Sequence, residues 1–67
     1  GKWTFYYENG QIETLGLYAN GIREGSWEYF YESGTIKQES YYEDGKAMGT
    51  WKKYYENGQM YWAKGFN

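Results

Sequence analysis

Short aromatic runs alternate with polar positions along this chain and end at dipeptides that favour turns. Trp3-Thr4-Phe5 is one such run, and Asn9-Gly10 and Asn20-Gly21 are two of the dipeptides. Alternation with a period of two is typical of β-strands, and Asn-Gly favours a type I′ hairpin turn, which needs positive φ at both central residues. Aromatic-rich, Ala-poor runs also favour strands over helices. The pattern therefore predicts a series of antiparallel hairpins.

The whole pattern recurs every 24 residues. Five positions of the repeat are identical in all three copies: Gly1/Gly25/Gly49, Trp3/Trp27/Trp51, Tyr7/Tyr31/Tyr55, Glu8/Glu32/Glu56 and Gly10/Gly34/Gly58. A fixed period of this kind marks a repeat architecture. We therefore expect one module of residues 1–67, with repeats at 1–24, 25–48 and a truncated 49–67, which suggests an excised piece of a longer array.

Turn positions set the expected strands. Two-residue turns are predicted at Asn9-Gly10, Asn20-Gly21, Ser33-Gly34, Asp44-Gly45 and Asn57-Gly58. They predict an all-β fold, an elongated antiparallel meander of repeated β-hairpins in a single sheet. Its strands, about six in number, would lie near residues 2–8, 11–18, 25–32, 35–43, 50–56 and 59–66.

The same turns fix an expected register. A two-residue turn at Asn9-Gly10 places Tyr7 opposite Ile12 and Trp3 opposite Gly16. The turn at Asn20-Gly21 places Thr14 opposite Trp27, although glycines near residues 25 and 49 would allow a bulge there. All of these aromatic residues then lie on one face of the sheet.

The two faces carry different candidates. Trp3, Trp27 and Trp51 are predicted to form the core face, since the facing residues Gly16 and Ser40 leave room for the rings; a ligand platform is the alternative. On the opposite face, bulky rings stand among charged residues and are the candidate partner-binding residues: Tyr6, Phe30, Tyr54 and Tyr61. The alternative is that these rings pack flat on neighbouring Lys and Glu stems.

Charge and composition narrow the function classes. A net charge of −2 and a pI near 5.0 argue against nucleic acid as a partner. With no Cys and no His, neither a disulfide scaffold nor a Cys/His zinc site is possible, and Glu8, Glu32 and Glu56 would stand too far apart to share a cation. No cofactor, metal site or catalytic constellation is expected, so we predict a protein that is not an enzyme.

The last repeat is the basic one. It holds Lys52, Lys53 and Lys64 against a single acidic residue, Glu56. These lysines are candidate contacts for an anion or a lipid headgroup, although larger basic clusters are the usual signature of membrane binding.

The segments GKWTFYYENG, GSWEYFYESG and GTWKKYYENG, joined by YANGIREG and YEDGKAMG, resemble the MORN repeat in its bacterial variant, as found in YwqK-like antitoxin proteins. The resemblance covers the whole chain. It implies a curved sheet that acts as a scaffold, with an antitoxin role or phosphoinositide binding as narrower functions. Some bacterial members of the family carry a kinase label, but these repeats contain no recognisable phosphate-binding loop or catalytic lysine.

We therefore expect a non-catalytic scaffold that mediates protein–protein interaction through its aromatic face and open edges. The edge strands near residues 2–8 and 59–66 contain no Pro, so self-association or pairing with a partner strand is expected. The alternatives are an antitoxin that binds its cognate toxin and a module that binds a membrane surface. The sequence leaves the cellular compartment open.

Overall fold

The computed structural model describes residues 1–66 and contains a single antiparallel sheet. The strands are β1 (Lys2–Tyr6), β2 (Ile12–Ala19), β3 (Ile22–Phe30), β4 (Ile36–Glu43), β5 (Lys46–Ala47), β6 (Gly49–Tyr54) and β7 (Met60–Phe66). They follow one another in space in the order β1-β2-β3-β4-β6-β7, and the short β5 pairs with β4. This confirms the predicted all-β hairpin meander.

The sheet is one layer thick. Its Cα atoms extend over 31 × 26 × 9 Å, and the shortest dimension leaves no room for a second sheet, which would lie about 10 Å away. Among the described residues only Trp27, in the central repeat, is a buried large apolar side chain, with 2% of its surface exposed. Lateral packing of rings along a face therefore replaces a two-layer core.

Two kinds of turn connect the strands. Asn20-Gly21 and Asp44-Gly45 have positive φ at both residues (55° and 76°, 52° and 79°), which confirms the predicted two-residue turns. The connection at residues 8–10 is longer: the Tyr7 N–H donates to the Gln11 carbonyl at 2.8 Å.

The prediction of a two-residue turn at Asn9-Gly10 was therefore wrong, and so were those at Ser33-Gly34 and Asn57-Gly58. Only the glycine of each pair has positive φ, and the Asn9 side-chain Oδ1 accepts the Gln11 N–H at 2.9 Å, closing the loop locally. This side-chain bond gives the asparagine a role other than a type I′ position.

The longer loop changes the register at its base. Trp3 does pair with Gly16, as predicted, but Ile12 pairs with Tyr6 and not with Tyr7. Because paired residues share a face and neighbours along a strand alternate, Ile12 lies on the face opposite the tryptophans. Ile36 and Met60 pair with Phe30 and Tyr54 in the same way.

A second shift separates β2 from the start of β3. Thr14 pairs with Tyr29, so the predicted pairing of Thr14 with Trp27 was wrong. The extra residues form a bulge around Gly25, whose φ is 73°. This bulge places the Trp27 indole directly over the backbone of Gly16.

Candidate interaction surfaces

A continuous line of aromatic rings crosses the face that carries the tryptophans, which we term the tryptophan face. Neighbouring ring centroids are 4.9–6.4 Å apart, and most pairs meet edge to face. Such geometry is favourable because a positive ring edge meets a negative ring face. We term this line the aromatic ladder; it consists of Trp3, Tyr18, Trp27, Tyr42, Trp51 and Phe66.

Trp27 shows how the ladder joins one repeat to the next. A Cβ atom built on Gly16 would lie only 2.2 Å from the indole ring, so this position must be glycine while the ring stays in place. The indole Nε1–H donates to the Leu17 carbonyl at 3.0 Å. Trp51 repeats the bond, donating to the Tyr41 carbonyl at 3.1 Å. These contacts make both indoles packing residues between repeats.

Arg23 covers part of the ladder, a contact that the sequence reasoning did not anticipate. Its guanidinium carbon lies 5.0 Å from the Trp27 ring centroid and 5.4 Å from that of Tyr42, whose hydroxyl accepts a hydrogen bond from Nη1 at 3.3 Å. Hydrogen bonding with the Tyr18 hydroxyl raises the pKa of Arg23. The guanidinium, which is charged in any case, therefore makes cation–π contacts with both the Trp27 and the Tyr42 rings.

The tyrosine common to all repeats ties each hairpin to the next. The Tyr7 hydroxyl donates to the Phe30 carbonyl at 2.6 Å, and the Tyr31 hydroxyl donates to the Tyr54 carbonyl at 2.7 Å. Desolvation, followed by the nearby carboxylates of Glu13 and Glu32, raises the pKa of Tyr7, which keeps its phenol a donor. The only sequence signal for this hydrogen-bonding role is that the tyrosine is identical in every repeat.

The structure gives the four candidate partner-binding rings unequal surroundings. Tyr6 and Tyr61 are 63% and 55% exposed, whereas Phe30 and Tyr54 are half-buried. The Tyr54 hydroxyl donates to Glu39 Oε1 at 3.0 Å, and this bond raises the pKa of Tyr54. The two most exposed of these rings thus lie on the first and last strands, and the Tyr61 ring contacts that of Tyr55, with centroids 4.8 Å apart.

The three candidate lysines do not share one face. Lys53 lies on the same side as Trp51, and Lys64 pairs directly with Trp51, so both belong to the tryptophan face. Lys52, between Trp51 and Lys53 on the strand, points to the opposite face. The Lys64 ammonium lies 5.4 Å from the Phe66 ring centroid.

The outer strands β1 and β7 each have a single neighbour and expose large apolar side chains. Of the ten large apolar residues that are exposed among the described residues, six lie on these two strands. They are Trp3, Phe5, Tyr6, Met60, Tyr61 and Trp62. Unpaired backbone groups and apolar rings therefore occur together at both edges.

These features define a β-hairpin repeat protein whose repeats are joined by aromatic packing and tyrosine hydrogen bonds. The chain belongs to the MORN repeat variant family, which matches residues 1–20, 23–44 and 49–61. MORN repeats are generally associated with protein–protein or membrane–lipid interactions. Neither curated proteins nor solved structures gave a match.

Residues 1–66 contain no helix that is long and apolar enough to cross a membrane. The same residues contain no group of three or more His, Cys, Asp or Glu side chains placed to hold a metal ion.

Proposed function

We propose that this protein is a non-catalytic module that binds another protein through the aromatic edges of its sheet. The observation that carries the proposal is the concentration of exposed rings on β1 and β7, the two strands with an unpaired side. An extended partner segment can add to such an edge by main-chain hydrogen bonds, while the rings select its side chains. Aromatic residues are also enriched at protein interfaces.

The experiment places a photo-reactive group at Tyr6 or Tyr61 and, as a control, at Tyr41, which is exposed on the interior strand β4. A protein that is cross-linked by the probes at Tyr6 or Tyr61 but not by the probe at Tyr41 is then purified, and its affinity for the parent module is measured. We expect Tyr6→Ser to weaken binding at least about ten-fold, because loss of a central aromatic contact costs about 1.4 kcal/mol or more. Equal weakening by Leu17→Ser, which alters an exposed apolar residue of interior strand β2, would contradict the proposal.

A narrower form of this function follows from the resemblance to bacterial YwqK-like antitoxins: the partner would be a toxin that the module neutralises. Co-expression of this module with such a toxin should restore the growth of cells that the toxin alone inhibits. Tyr6→Ala or Tyr61→Ala, each of which removes an exposed ring of an edge strand, should abolish the rescue without unfolding the sheet, as judged by circular dichroism. Absence of both rescue and binding would exclude this narrower form.

Membrane-surface binding is a second candidate, and the shared face of Lys53 and Lys64 favours it. Pelleting with anionic vesicles should fall with added salt and in the double variant Lys53→Ala/Lys64→Ala. Lys52→Ala, on the opposite face, is the matched control and should change little. Equal pelleting with neutral vesicles would argue against lipid headgroup recognition.

A further inference from the structure

Two junctions between hairpins occur in this chain, one between β2 and β3 and the other between β4 and β6. They are built alike, because each residue of the second junction lies 24 positions after its equivalent in the first. Thr14 pairs with Tyr29 at the first, and Gln38 pairs with Lys53 at the second. The indole and tyrosine hydrogen bonds described above also occur once at each junction. The junction is therefore a reusable interface with a defined register.

Continuing the same shift by one more repeat leads from β7 to a strand equivalent to β1. We propose that β7 of one copy of this chain pairs with β1 of a second copy, head to tail, in the junction register. Trp62 would then pair with Phe5 of the second copy, and Ala63 with Thr4. This proposal rests on the proposed function, edge binding of a protein, and identifies that protein as a second copy of the chain.

The same shift assigns hydrogen bonds to groups at both edges. The Tyr55 hydroxyl would donate to the Tyr6 carbonyl of the second copy, as Tyr7 and Tyr31 do within the chain. The Trp3 indole of the second copy would donate to the Gly65 carbonyl of the first. Its ring would extend the aromatic ladder beyond Phe66.

The exposure of the edge rings supports a second copy of the chain as the partner of β1. Trp3 is 45% exposed, whereas the equivalent Trp27, which has a preceding strand beneath it, is 2% exposed. Tyr6 is exposed in the same way, while the equivalent Phe30 and Tyr54 are half-buried. In each case the better-covered residue has a preceding hairpin beside it. A second copy would supply that hairpin to β1.

The net charges of the two terminal repeats are opposite in sign, although the pairing strands β1 and β7 each carry one lysine and no acidic residue. The first repeat has three acidic side chains against two basic ones, and the third has three lysines against one glutamate. Opposite charge favours head-to-tail encounter over the approach of two like ends. A heterologous contact of this kind does not close on itself as a symmetric dimer does, so association is open-ended unless it forms a ring.

Lys64 limits the strength of this contact. It occupies the repeat position of Gly16 and Ser40, and at Gly16 the Trp27 ring lies too close to admit a Cβ atom. The lysine stem would hold the second copy's Trp3 further from the strand than Trp27 lies from its own. We therefore expect reversible association, with Lys64 as the residue that weakens it.

Sedimentation velocity over a series of protein concentrations tests the association. The mean sedimentation coefficient should rise with concentration, and Lys64→Ser, which copies the position of Ser40, should shift the rise to at least about ten-fold lower concentration. Lys46→Ser, on the short strand β5, makes the same chemical change away from the edges and should leave the curve unchanged. A monomer at every concentration in both the parent and Lys64→Ser would overturn the proposal.

Cysteine cross-linking tests the register, and the chain has no native Cys to interfere. Directly opposed residues bring their Cβ atoms to about 4.5–5.5 Å, near the range that a disulfide spans. A mixture of Thr4→Cys and Ala63→Cys proteins should give a disulfide-linked dimer under mild oxidation, whereas either protein alone should give little. Efficient cross-linking of Ala63→Cys alone would show a symmetric tail-to-tail dimer and would overturn the head-to-tail arrangement.

These outcomes are separable from the proposed function. If the chain remains monomeric but a purified partner binds in a manner that depends on Tyr6, self-pairing fails and edge binding stands. If Tyr55→Phe weakens self-association by about five-fold, as loss of one hydrogen bond predicts, while no other protein binds, the chain itself is the partner. A Tyr55→Phe protein that associates like the parent would overturn the assigned hydrogen bond.

Discussion

Gly16→Ala tests the contact between the backbone of Gly16 and the Trp27 ring. The added Cβ atom would lie 2.2 Å from the nearest Trp27 ring atom and 2.4 and 2.5 Å from the next two, so the buried indole must move. Overpacking of this kind costs about 1–3 kcal/mol, and displacing the indole also weakens its hydrogen bond to the Leu17 carbonyl. We expect a loss of about 2 kcal/mol in the free energy of unfolding.

For a chain of this size, that loss corresponds to a fall in Tm of roughly 8–16 °C, measured by circular dichroism or calorimetry at one fixed protein concentration. Gly65→Ala is the matched control, since nothing lies within 4 Å of its added Cβ atom and its φ is not positive. It should change Tm by no more than a few degrees. A similar Tm for Gly16→Ala and the parent would refute the packing argument.

A double-mutant cycle identifies the cause. Trp27→Leu removes the ring that the new methyl group would strike. Gly16→Ala should therefore cost much less on the Trp27→Leu background than on the parent, with a coupling energy within the range of about 0.5–3 kcal/mol seen for residues in contact. Additive costs would show that Gly16 matters for a reason other than the indole.

Three further predictions concern the links between repeats. Tyr31→Phe should lower the free energy of unfolding by about 1 kcal/mol in urea titrations, whereas Tyr55→Phe, measured at a concentration where the chain is monomeric, should change it little. Arg23→Lys should also destabilise by roughly 0.5–1 kcal/mol in the same assay, because an ammonium group cannot stack on two rings as a planar guanidinium does. The bond to Glu39 raises the pKa of Tyr54, so the stability that this bond contributes should be fully present below about pH 10 and lost as the pH rises through the folded-state pKa of Tyr54. Tyr54→Phe should therefore reduce the loss of stability at alkaline pH. A pH profile of stability that is unchanged in Tyr54→Phe would contradict this prediction.

The sheet was predictable because two signals agreed, the alternation of apolar positions and the fixed period. The turns at Asn20-Gly21 and Asp44-Gly45 followed from their residue types alone. The turn at Asn9-Gly10 contains the same dipeptide but has a different conformation, since the asparagine side chain bonds to the loop backbone. Dipeptide identity therefore did not decide turn length, and the register beyond the loop could not be derived from it.

The partners of the repeated residues were harder to infer than their positions. The sequence placed Gly16 opposite Trp3 and suggested that the glycine makes room for that ring. The structure confirms the pairing, but the ring that lies on Gly16 is Trp27, which the bulge at Gly25 carries back across β2. The hydroxyl bond of Tyr7 to the next hairpin was likewise hidden, because its acceptor is a backbone carbonyl that carries no sequence signal.

The uneven burial of the three tryptophans implies an order of local unfolding. Trp27 is covered from both sides, whereas Trp3 and the strand β7 have a neighbour on one side only. In a linear array each hairpin is stabilised mainly by the ones beside it, so the two outer strands should open with the least free energy and the central hairpin with the most. Native-state hydrogen exchange would then show protection that peaks in β2–β4 and declines toward β1 and β7.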